Sequence, residues 1–274
     1  MADIKHPVIR YHGGKFRLAA WVISHMPEHK CYVEPFGGAA GVLIQKPRSY
    51  AEVYNDLDGE VVNLFQVLRN PELCQRLQEC CRLTPYSRDE FYAAREPTEE
   101  PVERARRMVV RACMGFGSAA GIGGNSGFRS DSKRKYATAA HLWERYPDNL
   151  SAVCQRLQGV IIENKDALAI MRAHDAETTL HYIDPPYVPE TRVQGNRYYN
   201  HEMSPEGHEQ MLAVAGTLAG KVMISGYDSE LYRDMLPDWR VITKESRISA
   251  GRGTKVKTEC LWLSPNFEAQ EDAA

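Results

Sequence analysis

The turn Asp184-Pro185-Pro186-Tyr187 places a carboxylate, a fixed carbonyl and an aromatic ring directly after an apolar, strand-like run. Two successive prolines fix their φ angles, remove two N–H donors and keep Asp184 out of helical geometry. An ionised Asp184 only accepts hydrogen bonds, so beside the carbonyl of Pro185 it can receive both protons of one planar NH2 group. Tyr187 can stack on the ring that bears this amine. The residues indicate chemistry at an exocyclic amine, and a plain strand-ending loop is the simpler alternative.

A glycine-rich segment near the N-terminus has the composition of a loop that approaches a small ligand closely. Glu34-Pro35-Phe36-Gly37-Gly38-Ala39-Ala40-Gly41 follows strand-like residues 32–33 and precedes residues 42–44, which we expect to be helical. Glycines permit close approach of the backbone to a ligand. The Gly-x-Gly-x-x-Gly spacing of a dinucleotide-binding loop is absent from this segment, which disfavours a nicotinamide or flavin enzyme.

Two further acidic residues follow predicted strands. The strand 51–54 leads into Asp56, at the position where an alternating α/β unit meets a ribose diol, so Asp56 is the candidate ribose ligand. The strand 160–162 leads into Asp166. Each Asp has an ordinary alternative as a turn former or a helix cap. Because both precede Asp184 in one succession of strands, we expect the three carboxylates to share a ligand at the carboxyl edge of one sheet.

Three motifs occur in the order that is found in one protein family. Tyr11-His12-Gly13-Gly14-Lys15, the glycine-rich segment and Asp184-Pro185-Pro186-Tyr187 together resemble the Dam-like, alpha-type DNA adenine-N6 methyltransferases of phage and prophage type. The resemblance covers nearly all of the chain. It implies an α/β fold, with a Rossmann-like S-adenosylmethionine-dependent methyltransferase sheet and an inserted helical target-recognition domain.

The resemblance also implies roles for individual residues. The expected cofactor-binding residues are Tyr11, Gly13, Gly14, Lys15, Glu34, Phe36, Gly37, Gly38, Asp56, Asp166, Ala167 and Asp184. Of these, Asp166 and Ala167 resemble the adenine-binding segment, although relatives often carry a larger residue in place of Ala167. The expected catalytic residues are Asp184, Pro185, Pro186 and Tyr187. The implied reaction is direct methyl transfer from S-adenosylmethionine to an adenine that has been flipped out of duplex DNA.

The stretch between Asp56 and the strand at 160–162 has little strand character and is far too long for a loop. Helices are expected there at 60–69, 71–81, from 87 and from 101. We therefore predict a catalytic domain made of residues 1–59 and 158–274, and an inserted helical domain at 60–157. Downstream elements are expected as helices at 205–218 and 230–236, strands at 221–225, 241–243 and 259–263, and a basic glycine loop at 249–257.

Residues 101–136 form a basic region in a chain whose formal net charge is −2. They contain eight Lys or Arg residues against Glu103 and Asp131, a local charge of about +6. Such a region favours a surface for DNA phosphates, and a solvated helix face is the plain alternative. The expected DNA-binding residues are Arg111, Phe128, Arg129, Lys133, Lys135, Tyr198 and Arg252. Residues 117–127 lack the hairpin pattern of GATC-methylating relatives, so no recognition sequence is carried over.

The remaining patterns exclude several other kinds of site. His201 and His208 lack the His-Glu-x-x-His spacing of a zinc site, so no metal is expected. Seven cysteines without a Cys-x-x-Cys pair fit a reduced interior. With no signal peptide or membrane-length apolar stretch, we expect a cytoplasmic protein of a bacterial or phage-infected cell. Duplex DNA is the expected partner of a monomer or weak dimer, and a cognate restriction endonuclease is left open.

Three other functions stay open at this level. They are methylation of the exocyclic amine of cytosine, methylation of RNA or of a protein amide nitrogen, and non-catalytic DNA binding by a regulator that has kept the fold. By family analogy, an Asp at position 184 favours adenine over cytosine. The basic region favours DNA over a protein amide, and the intact motifs argue against a regulator.

Overall fold

Strands and helices alternate along the chain, except for a run of helices between the second and third strands. A computed structural model of the protein describes residues 4–117, 126–132, 137–188, 201–250 and 253–267. The strands are β1 (Cys31–Glu34), β2 (Ala51–Asn55), β3 (Ile161–Glu163), β4 (Thr179–Ile183), β5 (Lys221–Tyr227), β6 (Arg240–Ala250) and β7 (Gly253–Leu263). The helices are α1 (Ala19–Ile23), α2 (Gly59–Arg69), α3 (Pro71–Leu83), α4 (Arg88–Ala93), α5 (Pro101–Met114), α6 (Ala139–Leu157), α7 (Ala167–Ala173), α8 (Pro205–Ala215) and α9 (Glu230–Met235).

All seven strands form one sheet, in the order β3-β2-β1-β4-β5-β7-β6. The pairs among β1 to β5 are parallel, and β7 runs antiparallel to both β5 and β6. The strand order reverses between β1 and β4, and ligands of open α/β sheets bind outside the carboxyl ends of the strands at such a point. The predicted Rossmann-like α/β fold is confirmed.

The sheet and the helical run share one hydrophobic core. Strand β4 is buried along its whole length, as expected for a parallel strand covered on both faces. One cluster of buried side chains joins Tyr32 and Leu180 of the sheet to Leu64 of α2 and Met108 of α5. Within the described residues, 60–157 contribute helices and no strand to the fold. Their assignment to a separate inserted domain stays a prediction.

Local start signals explain where several of the helices begin. The Asn70 side chain accepts hydrogen bonds from the backbone N–H groups of Glu72 and Leu73, and Pro71 occupies the first helical position of α3. Helices α2, α3, α4 and α5 begin within about one residue of the predicted starts, as boundary assignments allow. Helix α6 begins with a capping box that uses His141, which the usual Glu or Gln pattern does not detect.

Two predicted elements differ from the structure. Residues 42–44 form consecutive turns instead of a helix, because the preceding Gly38 and Ala40 both have positive φ and redirect the chain. Residues 249–257 were expected to be a loop, whereas β6 and β7 continue their antiparallel ladder as far as the pair Ala250 and Gly253. Backbone pairing along this ladder outweighs the glycine and basic residues that suggested a loop.

Candidate active site

A cavity of about 350 Å³ lies at the carboxyl edge of the sheet, where the strand order reverses. This volume is within the range of small-molecule sites. Every residue predicted to bind the cofactor lines the cavity, namely Tyr11, Gly13, Gly14, Lys15, Glu34, Phe36, Gly37, Gly38, Asp56, Asp166, Ala167 and Asp184. Pro186 of the predicted catalytic turn lines it as well. The structure therefore brings the three motifs together around one site, and the role of each residue there remains a prediction.

The glycine-rich segment is held against β2 by contacts that require glycine. A Cβ atom at Gly37 would lie 2.1 Å from the ring of Tyr54, which no side chain tolerates. Gly38 has a φ of 46°, in the left-handed region that favours glycine. The Tyr54 hydroxyl donates to the carbonyl of Gly38 over 2.7 Å. The loop can therefore pass close to the strand and present its backbone to the cavity, which fits a cofactor cradle.

Asp56 is oriented by two backbone donors. The N–H of Gly38 donates to Oδ2 over 2.7 Å, and the N–H of Asp58 donates to Oδ1 over 2.8 Å. Burial raises the pKa of Asp56 to about 6, and these two hydrogen bonds act in the opposite direction. Each carboxylate oxygen keeps further acceptor capacity toward the cavity. The geometry fits the predicted ribose ligand.

Asp166 is a helix cap at the edge of the cavity. Its side chain caps α7 by accepting from the N–H of Ala169 over 3.0 Å, and it also lines the cavity. The loop before it is tied to the glycine-rich segment by Asn55, whose amide donates to the carbonyls of Pro35 at 2.9 Å and Lys165 at 3.0 Å. We did not predict a role for Asn55, although its place directly before Asp56 at a strand end was the available signal.

Glu34 is a buried acid at the end of β1. The Tyr32 hydroxyl donates to its Oε2 over 3.0 Å. Burial raises the pKa of Glu34 to about 8, and the hydrogen bond from Tyr32 acts against that increase. Because Glu34 lines the cavity, a cationic ligand would favour its ionised form and be held by it.

Asp184 receives two donors on the same oxygen. Lys15 Nζ lies 2.9 Å from Oδ1, and Ser225 Oγ donates to Oδ1 over 2.7 Å. Lys15 also donates to the carbonyl of Gly13 over 2.8 Å, and Tyr182 donates to Ser225 over 3.2 Å. The sequence predicted Lys15 as a cofactor-binding residue and assigned no role to Ser225. Its contact with Asp184 spans strands that are distant in sequence, so no local pattern shows it.

The ring of Tyr187 is fixed from several directions and is 9% exposed. Its hydroxyl donates to Glu259 Oε2 over 2.8 Å, and its ring meets Tyr227 edge to face at 4.6 Å between centroids. Lys15 Nζ lies 4.6 Å from the centroid of the Tyr187 ring. Glu259 was not predicted from the sequence, and it lies on β7, far along the chain from the turn.

Three of the predicted DNA-binding residues are buried or partly buried, and the other four lie outside the described residues. Arg129 is 4% exposed, and Arg111 donates to the carbonyl of Ala94 over 2.6 Å from a largely buried position. Phe128 packs against Tyr86, with 5.2 Å between ring centroids. The expected exposed basic surface is therefore not formed by these two arginines, because Arg129 is buried and the Arg111 side chain is only 13% exposed. The predictions that lie outside the described residues are Lys133, Lys135, Tyr198 and Arg252.

Charges on α5 are largely compensated within the protein. Arg104 lies 2.6 Å from Glu60, and both Arg106 and Arg107 contact Glu103, at 2.6 and 2.7 Å. The composition of residues 101–136 therefore overstates the positive charge that α5 offers to a polyanion.

Phe116 is an exposed aromatic residue that was not predicted from the sequence. It is 73% exposed and follows Gly115, the C-cap residue of α5. Its N–H donates to the carbonyl of Gly127 over 2.9 Å. An exposed aromatic face beside a basic region can stack on a nucleic-acid base.

In the part of the chain that the structure describes, none of the helices is long and apolar enough to cross a membrane. Among the same residues, no group of three or more His, Cys, Asp or Glu side chains is arranged to hold a metal ion.

The Rossmann-like sheet and the Asp-Pro-Pro-Tyr turn beside its cavity are the features expected of a methyltransferase that acts on an exocyclic amine. Residues 11–250 match the model of the D12 class N6 adenine-specific DNA methyltransferases, and the chain belongs to this family. The predicted family and its chemistry, adenine-specific DNA methylation, are confirmed. The family implies S-adenosylmethionine as the methyl donor.

Three curated relatives are similar in sequence to most of the chain. A DNA adenine methylase of Salmonella typhi is 23% identical over 265 residues, with 92% of each chain covered. A DNA adenine methylase of Escherichia coli (strain K12) is 24% identical over 267 residues, again with 92% of each chain covered. The Type II methyltransferase M1.LlaDCHI of Lactococcus lactis subsp. cremoris is 24% identical over 252 residues, with 86% of each covered.

Proposed function

We propose that this adenine-specific DNA methyltransferase acts at a short specific site in duplex DNA, on a flipped adenine and by direct transfer. The observation that carries the proposal is Asp184, which is held by Lys15 and Ser225 at the wall of the cavity. That carboxylate lines the same cavity as every residue predicted to bind the cofactor. An acceptor for the amine and a site for the methyl donor are thus adjacent.

The residues around the cavity fit S-adenosylmethionine. When bound, this cofactor supplies an electrophilic methyl group on a positively charged sulfonium. Asp56 would accept from the ribose hydroxyls, because both of its oxygens are oriented at the cavity wall. Glu34 would hold the cationic end, and Phe36, Asp166 and Ala167 would surround the adenine ring. We assign these roles from the lining residues and from the family.

The catalytic turn acts on the target amine. Asp184 and the Pro185 carbonyl accept its two N–H protons, which favours a pyramidal nitrogen with its lone pair directed toward the methyl group. Flipping the adenine costs roughly a few kcal/mol. Stacking on Tyr187 returns about 1 to 3 kcal/mol. Fixed positions and a preorganised polar environment supply most of the acceleration.

Duplex DNA is proposed to lie across the helical side of the cavity. The exposed ring of Phe116 is available to stack on a base, and the sequence predicts further DNA contacts by Lys133, Lys135, Tyr198 and Arg252. We further propose a cytoplasmic monomer or weak dimer. A relative named as a Type II methyltransferase supports a cognate restriction endonuclease as a partner. Protection of methylated DNA from cleavage in extracts of the source cell tests that partner.

The decisive experiment incubates the purified protein and S-adenosylmethionine with unmethylated genomic DNA, and maps the modified bases by mass spectrometry and single-molecule sequencing. Methyladenine at one short motif is expected. Methyladenine at every adenine would assign relaxed specificity to residues 117–127. DNA without any modified base would overturn the proposal in favour of RNA, protein or regulatory binding. The Asp184→Ala variant serves as the matched control.

A further inference from the structure

We infer that Glu259 on β7 is a positioning residue for methyl transfer, which holds the ring of Tyr187 in the plane that stacks on the flipped adenine. The inference rests on the proposed function. The Tyr187 hydroxyl donates a hydrogen bond of 2.8 Å to Glu259 Oε2. Both residues are nearly buried, at 9% and 6% exposure, so water competes weakly for this bond.

Glu259 belongs to a socket around the Tyr187 ring that is built by the neighbouring strands β5 and β7. Glu259 lies directly opposite Tyr227 in the β5–β7 ladder. Tyr227 meets the ring of Tyr187 edge to face at 4.6 Å. Lys257, on the same face of β7 two residues earlier, places Nζ 3.9 Å from the centroid of the Tyr227 ring. The sheet therefore fixes the phenol end of Tyr187, while Pro185 and Pro186 fix the backbone end.

Glu259 is a carboxylate that shares one face of β7 with buried leucines. Leu261 and Leu263 lie on the same face of the strand and are fully buried in the main core. A carboxylate on such a face costs free energy unless it is hydrogen-bonded. Packing alone would favour another apolar residue at position 259. The Glu259 carboxylate lies beside the catalytic turn, where it accepts a hydrogen bond from the Tyr187 hydroxyl.

Glu259 does not belong to the lining of the cofactor cavity. Among the described residues that line the cavity, Asp184 and Pro186 of the turn are included and Glu259 is not. Its removal should therefore loosen the stacking surface and leave the cofactor site intact. Small misplacement of a positioned group lowers the rate by about 10- to 100-fold.

The test compares Glu259→Ala, Glu259→Gln, Tyr187→Phe and the double variant Tyr187→Phe/Glu259→Ala. Glu245→Gln is the matched control, because Glu245 is an exposed glutamate on the adjoining strand β6. Each purified full-length variant is assayed for its single-turnover methylation rate on a duplex that contains the mapped site. Calorimetry gives the affinity for S-adenosylmethionine. Fluorescence of 2-aminopurine at the target position reports how the flipped base stacks.

We expect Glu259→Ala to lower the single-turnover rate by about 10- to 100-fold, with the cofactor Kd within about twofold of wild type. Glu259→Gln, which keeps an acceptor oxygen, should recover part of the rate. On the Tyr187→Phe background, Glu259→Ala should cost less than about twofold more, because the bond is already absent. Brighter 2-aminopurine fluorescence in Glu259→Ala is expected from weaker stacking.

Three outcomes would overturn the inference: a normal rate for Glu259→Ala, full additivity with Tyr187→Phe, or an equal loss in the Glu245→Gln control. If Glu259→Ala unfolds or loses cofactor binding, Glu259→Gln and Tyr187→Phe decide, and normal rates for both would overturn it. Asp184→Ala is assayed in parallel. Turnover by Asp184→Ala would contradict the proposed function itself, whereas an inactive Asp184→Ala beside a normal Glu259→Ala removes only the inference.

Discussion

Asp184 is oriented by two donors that contact the same carboxylate oxygen. Lys15 and Ser225 both contact Oδ1, at 2.9 and 2.7 Å. A carboxylate with one oxygen engaged in this way presents its other oxygen, Oδ2, to a further donor. The proposed donor is the target amine. Ser225 and Lys15 thus decide which oxygen of Asp184 takes part in the reaction.

Replacement of Asp184 should remove methyl transfer while the fold is retained. For Asp184→Ala we expect the rate to fall at least about 10²- to 10³-fold, as when one preorganised polar group is deleted from an active site. Ser225→Ala should give a smaller loss, because Lys15 still contacts Oδ1. The rates are measured with labelled S-adenosylmethionine, and circular dichroism reports the fold. Near-normal turnover by a folded Asp184→Ala variant would exclude the mechanism.

The affinity for S-adenosylmethionine should increase as the pH rises, because the two carboxylates proposed to bind this cofactor both have a raised pKa. The pKa of Asp56 is raised by burial to about 6 and that of Glu34 to about 8. Both roles require the ionised form, so cofactor binding must release protons from these groups, and affinity falls as the pH drops through about 8 and again through about 6.

Two variants separate these contributions to the pH dependence. Glu34→Gln should flatten the upper part of the profile, and Asp56→Asn should flatten the lower part, each with weaker binding at alkaline pH. Calorimetry in buffers of different ionisation enthalpy measures the affinity and the number of protons released. A wild-type affinity that is constant across this pH range would show that neither carboxylate titrates on binding.

At the scale of elements, α6 is attached to the sheet by a buried cluster of charges. Arg156 of α6 contacts both oxygens of Glu52 on β2, at 2.7 and 2.8 Å, and Lys46 contacts Glu52 at 2.8 Å. Arg156 also donates to the carbonyl of Leu43, just after the glycine-rich segment, over 2.6 Å. The helical run is therefore tied to the strand and to the loop that build the cofactor site.

Loss of one member of this cluster should destabilise the protein strongly. Arg156→Ala leaves the buried charge of Glu52 with one fewer partner, for an expected loss of about 3 to 5 kcal/mol. The matched control is Arg82→Ala in the exposed pair of Arg82 with Asp148, expected to cost at most about 1 kcal/mol. Urea denaturation measures both. Equal effects of the two variants would contradict the role of the buried cluster.

The same cluster should make stability depend on pH. Burial acts to raise the pKa of Glu52, but hydrogen bonds from Arg156 and Lys46 outweigh it, and the pKa is lowered. The stabilisation from a lowered carboxyl pKa is present above its unfolded value and is lost as the pH falls through the folded value. Wild-type protein should therefore lose more stability on acidification than Glu52→Gln does, as measured by urea denaturation at neutral and acidic pH.

Elements with strong local signals could be predicted from the sequence. The strands that lead into Asp56 and Asp184 and the helix that starts at Pro71 follow from apolar runs, proline and capping chemistry. The turns after Ala40 could not be predicted, because positive φ at a non-glycine residue is imposed by the surrounding structure. The motif residues of the site were predictable from their order, whereas Glu259 was not, because it reaches Tyr187 only through strand pairing.

At the scale of the whole molecule, charge composition is a poor guide to the surface that meets DNA. The net charge is −2, and the arginines of α5 that suggested a polyanion surface are paired with Glu60 and Glu103. A paired arginine releases few counterions when DNA binds, because its charge is already neutralised. The phosphate contacts should therefore come from residues beyond α5, of which Lys133 and Lys135 are the candidates from sequence.

The salt dependence of DNA affinity distinguishes these two sources of charge. Neutralising both candidates in Lys133→Gln/Lys135→Gln should weaken binding and reduce the slope of log K against log salt by about 2, because each lysine would otherwise neutralise one phosphate. Arg107→Gln is the matched control, because Arg107 lies 2.7 Å from Glu103, and it should leave the slope unchanged. Fluorescence anisotropy of a labelled duplex between roughly 50 and 200 mM salt measures the slope. If Arg107→Gln reduces the slope and the double lysine variant does not, the DNA lies along α5 and its ion pairs must open on binding.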